Sequence, residues 1–223
     1  MQHYSKTCLA IAAMAFCSTA LSGDDYSVAE KRVFLDNHLK NLKPESVLIY
    51  SLHQVGKPDD SYDDSATMSV RAAKNGEKKV EVKYLSGPHK LELPEVSDAQ
   101  GNPIVLYFLE RDVRDMHRLV GGQEAYFRKR IRLALAEGGE VHPVTVNFNG
   151  RKIKADEVRI LPYINDPLRS RFGEYFSKSY TFTISDQVPG GVYQIKTQVD
   201  NTKNIAPDAP PIAQTILTLK TPA

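Results

Sequence analysis

The stretch "PIVLYFLERDVRDMHRLVGGQEAYFRKRIRLALAEGG", Pro103 to Gly139, is where the chain changes its hydrophobic period. Leu106, Leu109, Val113, Met116 and Val120 recur at helical spacing, and Pro103 stands at a first-turn position, where a missing N–H costs nothing. The opening turn is apolar all round (Ile104, Val105, Tyr107, Phe108), so that end is expected deep in the core. Gly121-Gly122 breaks the pattern, and a second helix follows with Phe127, Ile131, Ala134 and Leu135 on one face until Gly138-Gly139 stops it. The segment of about 103–138 reads as a helical hairpin. Its second helix carries Arg128, Lys129, Arg130 and Arg132, but Arg128 and Arg132 flank the apolar stripe on one side, Arg130 on the other, and Lys129 points away. A nucleic-acid reader gathers its basic side chains on one surface. Spread as they are, these stems are expected to snorkel around a buried stripe, and no nucleic-acid partner is expected.

On both sides of the hairpin the period is two. "SVLIYSL" (Ser46–Leu52) is apolar on both faces, whereas "ATMSVRA" puts Ala66, Met68, Val70 and Ala72 on one side, and Val80, Val82 and Tyr84 alternate in the next run. Beyond the hairpin come "HPVTVNF", a tight Asn149-Gly150 turn, and "RKIKADEVRIL", whose phase slips between Ala155 and Val158 and suggests a bulge near Asp156. Two clean strands follow, one with Tyr180, Phe182 and Ile184 on a face, the other with Tyr193, Ile195 and Val199 inward. A proline-rich loop leads to a last strand, "AQTILTL". Tyr26–Leu42 reads as an N-terminal amphipathic helix ended by Pro44. Alternation with one polar face implies an antiparallel sheet wet on one side, whose other side must be covered. The fold class is therefore α+β and β-dominated: one curved antiparallel meander with an N-terminal helix and an inserted helical hairpin. A two-sheet β-sandwich is the alternative.

The N-terminus sets the compartment. Lys6, a small apolar run from Cys8 to Phe16 and the small residues Ala20 and Ser22 describe a secretory signal peptide over 1–22, cut before Gly23, leaving one domain over 23–223. The apolar run is shorter than the ~20 residues of a membrane-spanning helix, and no later segment reaches that length. Both cysteines lie in this leader, so disulfides and thiol chemistry drop out of the mature chain. A lipid anchor on Cys17 is disfavoured by the bulky Phe16 before it. The chain carries 29 basic and 27 acidic residues, a balance that calls for no polyanionic partner.

Candidate chemistry is sparse. "ERDVRDMHR" offers Asp112, Asp115 and His117, but it also pairs Glu110 with Arg114 and Arg111 with Asp115 at i,i+4, which reads as a solvated face. "DDSYDD" (Asp59–Asp64) lacks the glycine and closing glutamate of a calcium loop and reads as a polar hairpin tip. The histidines are single and scattered, and no nucleophile elbow, phosphate loop or dinucleotide glycine run occurs, so no metal, cofactor or enzymatic activity is expected.

The order of leader, helix, meander, helical insertion and second meander resembles the LolA/LolB-type lipoprotein carriers. "AQGNPIVLYFLERD" (Ala99–Asp112) is similar to that family's turn into its lid helix, although the family's arginine inside the barrel has no counterpart that can be placed here. The resemblance implies an incomplete barrel closed by helices over an acyl-chain cavity, in the periplasm. The expected ligand surface is Leu106, Leu109 and Val113 with Phe127, Ile131 and Leu135, set against Tyr180, Phe182 and Tyr193. A lipid or lipoprotein acyl chain is the expected partner if these residues leave a cleft of ~300 Å³ or more. If they fill the space, the chain is an envelope structural or protein-interaction module with a filled core.

Overall fold

The alternating stretches form nine described strands: β1 (Val47–Gly56), β2 (Tyr62–Ala72), β3 (Lys78–Tyr84), β4 (Val96–Ser97), β5 (Glu140–Phe148), β6 (Arg151–Ile160), β7 (Ser179–Ile184), β8 (Val192–Val199) and β9 (Ala213–Leu219). The structure is a computed structural model that describes residues 26–72, 78–93, 96–97, 100–201 and 209–220. The leader with Cys8, Cys17 and the expected cleavage site lies outside the described residues. All nine strands pair antiparallel in one sheet of order β4-β3-β2-β1-β9-β8-β7-β6-β5. The last strand, β9, thus joins two consecutive meanders, pairing with β1 on one side and β8 on the other. Chain order then forces the link from β4 to β5 to run from one edge of the sheet to the other. That link contains α2 (Ile104–Val120) and α3 (Glu124–Gly138), the expected helical hairpin. The strands form one sheet and not a two-sheet sandwich.

The sheet must curl around α2. Arg111 and Asp112 are adjacent on the helix, yet Arg111 donates to the His89 carbonyl, just beyond β3, at 3.2 Å, while Asp112 accepts from Tyr180 on β7 at 2.6 Å. Five strand spacings separate β3 from β7, roughly 24 Å in a flat sheet, against a helix diameter of ~10–12 Å. Only a curved sheet brings both within reach of neighbouring residues. This is the incomplete-barrel layout implied by the resemblance to the LolA/LolB-type carriers. Its inner surface is Leu48, Tyr50 and Leu52, then Ala66, Met68 and Val70, then Tyr180, Phe182 and Ile184, with Ile195, Leu217 and Leu219 between them, all buried.

The N-terminal helix is shorter than the sequence pattern suggests. Ser27 caps α1 (Val28–Glu30) in a reciprocal pair with Glu30, and its hydroxyl donates to the Leu135 carbonyl of α3 at 2.8 Å. The chain then runs through a wider, π-type turn, Lys31–Leu35, and turns extended at Asp36. The pattern that predicted a helix to Leu42 is broken where His38 turns inward, its ring placed between the Arg32 carbonyl and the Asn102 N–H.

Three strand details depart from expectation. β1 is not apolar-buried on both faces: Val47 and Ile49 are exposed while Leu48 and Tyr50 are buried. The β5–β6 ladder is unbroken from Glu140↔Arg159 to Phe148↔Arg151, so there is no bulge at Asp156. The phase slip arises because the base of this hairpin buries Val158 and Ile160, whereas its tip buries the opposite set, Ile153 and Ala155. The irregularity lies between β7 and β8, where Thr183 pairs with Gln194 but Ile184 pairs with Val192, leaving Tyr193 as the extra residue. β7 is also buried on both faces, because long neighbours flank its threonines: Arg159 and Lys196 pair with Thr181, and Glu157 and Gln194 with Thr183.

Candidate functional site

The inner face of α2 has two halves of different chemistry. Ile104, Val105, Phe108 and Leu109 pack into the core, but one turn further on Asp112 and Asp115 are buried as well. A carboxylate in such a place needs partners or it loses its charge. Asp112 binds Lys178, just before β7, and accepts from the Tyr180 hydroxyl at 2.6 Å; the Tyr163 hydroxyl lies 3.2 Å from that of Tyr180. Asp115 accepts from Arg111 Nε at 3.0 Å and from Arg118 at 2.7 Å. Both arginines continue to Asp59 in the β1–β2 connection, Arg111 at 2.6 Å and Arg118 at 2.8 and 2.9 Å. His89 stands 3.5 Å from the Asp59 carboxylate and stacks on Tyr62, with ring centroids 4.1 Å apart. Asp59 therefore latches the C-terminal half of α2 to the β1–β2 hairpin, while Asp112 ties it to β7.

The electrostatics follow from this placement. The hydrogen bond from Arg118 holds the Asp59 carboxyl below its usual range, against a smaller opposing effect of burial. Burial pushes Asp115 up despite Arg111 and Arg118. Tyr180 is raised well above the usual phenol range by burial first and by the Asp112 charge second.

The seam between α2 and the sheet is incompletely satisfied. Gln54 Nε2 and the Tyr84 hydroxyl are buried without a hydrogen-bond partner. Both face a void of about 10 Å³ that is also lined by Phe108, Asp112, Asp115 and Thr215. A second void of about 10 Å³ lies beside Asp112 and Lys178, bounded by Leu119, Thr197 and Thr215. Each has room for about one water-sized group.

The residues expected to line an apolar site are mostly brought together, but they fill the space. Leu109, Val113, Phe127, Ile131, Leu135, Tyr180 and Phe182 are all buried, and Phe127 meets Tyr163 edge-on at 6.1 Å. Leu106 is 49% exposed on the far side of α2, because the buried stripe runs through Ile104, Val105, Phe108, Asp112 and Asp115. Tyr193 lies apart, edge-on to Phe148 at 6.1 Å with its hydroxyl donated to the Asn147 carbonyl. A cleft of about 450 Å³ does exist, but it opens elsewhere, among Arg32, Pro143, Lys154, Asp156 and Asp186, and is charged. Asp59, Lys178, Gln54 and Tyr84 were not legible as site residues. The stretch read as a solvated face, "ERDVRDMHR", is split: Arg114 and Arg118 are exposed and Glu110 pairs with Arg114 as expected, but Asp112 and Asp115 are buried, and Arg111 and Asp115 form their pair largely out of solvent. His117 is exposed and bonds the Gly122 carbonyl. Among the described residues there is no group of three potential metal ligands and no helix long and apolar enough to cross a membrane.

No protein-family model and no curated protein matches the chain. Among solved structures it is similar to the Mycobacterium tuberculosis lipoprotein LppX, at 12% identity and TM-score 0.34 over 86% of this chain and 92% of that one. LprF from Mycobacterium bovis gives 13% identity and TM-score 0.32 over 86% and 91%. MucB, in the Pseudomonas aeruginosa MucA/MucB complex, gives 12% identity and TM-score 0.31 over 87% of this chain and 54% of that chain, so the chain spans about half of it. The function of the chain rests on its own residues.

Proposed function

We propose that the chain is an exported, non-enzymatic envelope protein that binds an amphipathic molecule beneath the α2–α3 hairpin, with the hairpin as a cover. The observation that supports this is the seam. Two buried carboxylates on α2, their cationic partners and two unpaired polar groups lie where a permanent core would carry apolar side chains. Ion pairs regain hydration when separated, so a cover held by them opens at lower net cost than one held by apolar packing alone. Once it lifts, Leu109, Val113, Phe127, Ile131, Leu135, Tyr180 and Phe182 would receive the apolar part of the ligand. Asp112, Asp115 and Lys178 would meet its polar part. A lipid or lipoprotein acyl chain fits that division. The leader over 1–22 is removed between Ser22 and Gly23, Cys17 goes with it, and residues 23–223 act in the periplasm.

Native mass spectrometry of gently purified protein tests this: a stoichiometric adduct of lipid mass is expected. Hydrogen exchange should be faster in Pro103–Gly138 than in Ser179–Ser185 and Val192–Val199, and added lipid should slow it selectively. The filled interior favours a second reading, an envelope protein-interaction module without a ligand. A clean mass, with hairpin protection equal to that of the strands and indifferent to lipid, would assign that one.

A further inference from the structure

His38 sits at the junction of three elements: the N-terminal segment, the start of α2 and the β7–β8 turn. Its ring is buried, with Nε2 2.8 Å from the Arg32 carbonyl and Nδ1 3.1 Å from the Asn102 backbone N–H. A carbonyl can only accept and a backbone N–H can only donate. The ring is therefore neutral, with its proton on Nε2 and a free lone pair on Nδ1. Asn102 carries that bond into the hairpin. Its side-chain amide donates to the Tyr50 hydroxyl at 2.9 Å and to the Gly190 carbonyl at 2.8 Å, and its side-chain oxygen accepts from the N–H of Ile104, the first residue of α2. Gly191 makes the seat for the ring: at φ +73° it has no side chain, and a Cβ there would stand 2.9 Å from the ring.

We propose that His38 is an acid-sensitive joint at the root of the hairpin, closed when its ring is neutral and released when Nδ1 takes a proton. Protonation turns the acceptor facing the Asn102 N–H into a second donor and places a charge in a buried seat. Asn102 and the first turn of α2 then lose this tie to the N-terminal segment, leaving the bond from the Leu39 N–H to the Gln100 carbonyl at 3.2 Å. The charged groups facing the ring are Asp36 and Arg32 from its own segment and Asp186 from the β7–β8 turn; Tyr50 on β1 is reached through Asn102. Burial holds the ring below its ordinary value of about 6.5; it outweighs the bond to the Arg32 carbonyl and the two aspartates, which favour the charged ring, while the Arg32 guanidinium opposes it. A histidine so lowered contributes stability that is present above about pH 6.5 and is lost as the pH falls through the folded value. As a control on ligand entry the joint rests on the proposed function, but the joint itself is read without any ligand.

The test uses the mature chain, residues 23–223. Long-range ¹H–¹⁵N NMR should show the Nε2–H tautomer at pH 7. Hydrogen exchange, corrected for the intrinsic effect of pH, should show the amides of Asn102 and of residues 104–107 losing about tenfold protection across the His38 titration, as expected when a bond is exchanged for a repulsive pair. In His38→Asn the new side-chain oxygen takes the place of Nδ1, and protection at 102–107 should no longer depend on pH in this range. Protection in the unaltered protein that stays constant through the His38 titration overturns the joint, as does a variant equally sensitive to acid. A clean native mass leaves this titration untouched, so loss of the ligand reading and loss of the joint are separate results.

Discussion

Substituting Asp112 by alanine should be among the most damaging single changes in the chain, and the structure sets its size. Asp112 and Lys178 are each buried, and the carboxylate also holds the Tyr180 hydroxyl. Asp112→Ala leaves the Lys178 ammonium buried without a counter-ion and strips Tyr180 of its acceptor. Breaking a buried pair from one side costs ~3–5 kcal/mol, because the remaining charge keeps its desolvation penalty. In a domain of this size each kcal/mol moves the thermal midpoint by ~2–4 °C, so a fall of roughly 6–20 °C is expected. Urea denaturation gives the same quantity as a lowered midpoint at constant slope. The pair as a whole is a different matter. Replacing both members, Asp112→Leu with Lys178→Met, removes the stranded charge and should restore most of the loss. If Asp112→Ala costs less than ~1 kcal/mol, or if the double replacement is as unstable as the single, the seam is not the closed ionic network described. The tie between α2 and β7 would then be solvated, and the physical case for a releasable cover would fail with it.

The arginines of the second helix should matter far less than its buried stripe. Arg128 is 44% exposed and pairs with Glu110 and Glu124 on the surface, so Arg128→Ala and Arg132→Ala should each cost under ~1 kcal/mol, whereas Ile131→Ala should cost ~2–5 kcal/mol; chemical denaturation compares them, and an unshifted midpoint in the isoleucine variant would mean that the stripe is not buried. Gly191→Ala should destabilise by more than ~1 kcal/mol, since it combines a left-handed backbone with a Cβ against the His38 ring; a neutral effect would show that the ring does not occupy this seat.

Most of the architecture was legible because it rests on local periodicity. Period-two runs became strands, and the switch to period 3.6 between Pro103 and Gly138 became the hairpin. The Asn149-Gly150 turn has both residues at positive φ, as a two-residue hairpin requires. Failures came where a long-range bond outbid the local pattern. The N-terminal helix stops at Asp36 because His38 turns inward, its ring between the Arg32 carbonyl and the Asn102 N–H, a placement that a continued helix would deny it. Tyr193 leaves the inner face because register slips between β7 and β8, an event that depends on the partner strand and leaves no mark in "VYQIKTQV". The insertion of β9 between β1 and β8 is equally silent in the sequence, since any half-buried strand of that pattern could have taken an edge.

The seam shows why a site can hide in plain sight. On a helical wheel "ERDVRDMHR" offers ion pairs at i,i+4, and those pairs alone cannot say whether they face water or core. The intervals do carry a hint: Asp112 and Asp115 sit beside Val113 and Met116, inside the arc that must be buried if Leu109 is buried. Reading the arc from Leu106 turned that face outward; placing its centre one residue earlier, on Val105 and Phe108, turns both aspartates in. Their partners come from far along the chain, Asp59 from a turn that reads as a polar tip and Lys178 from the residue before a strand. A carboxylate pair can enter a core only with cations to meet it. What hid the site was that its charges are individually ordinary, and only the curl of the sheet around α2 makes them one cluster.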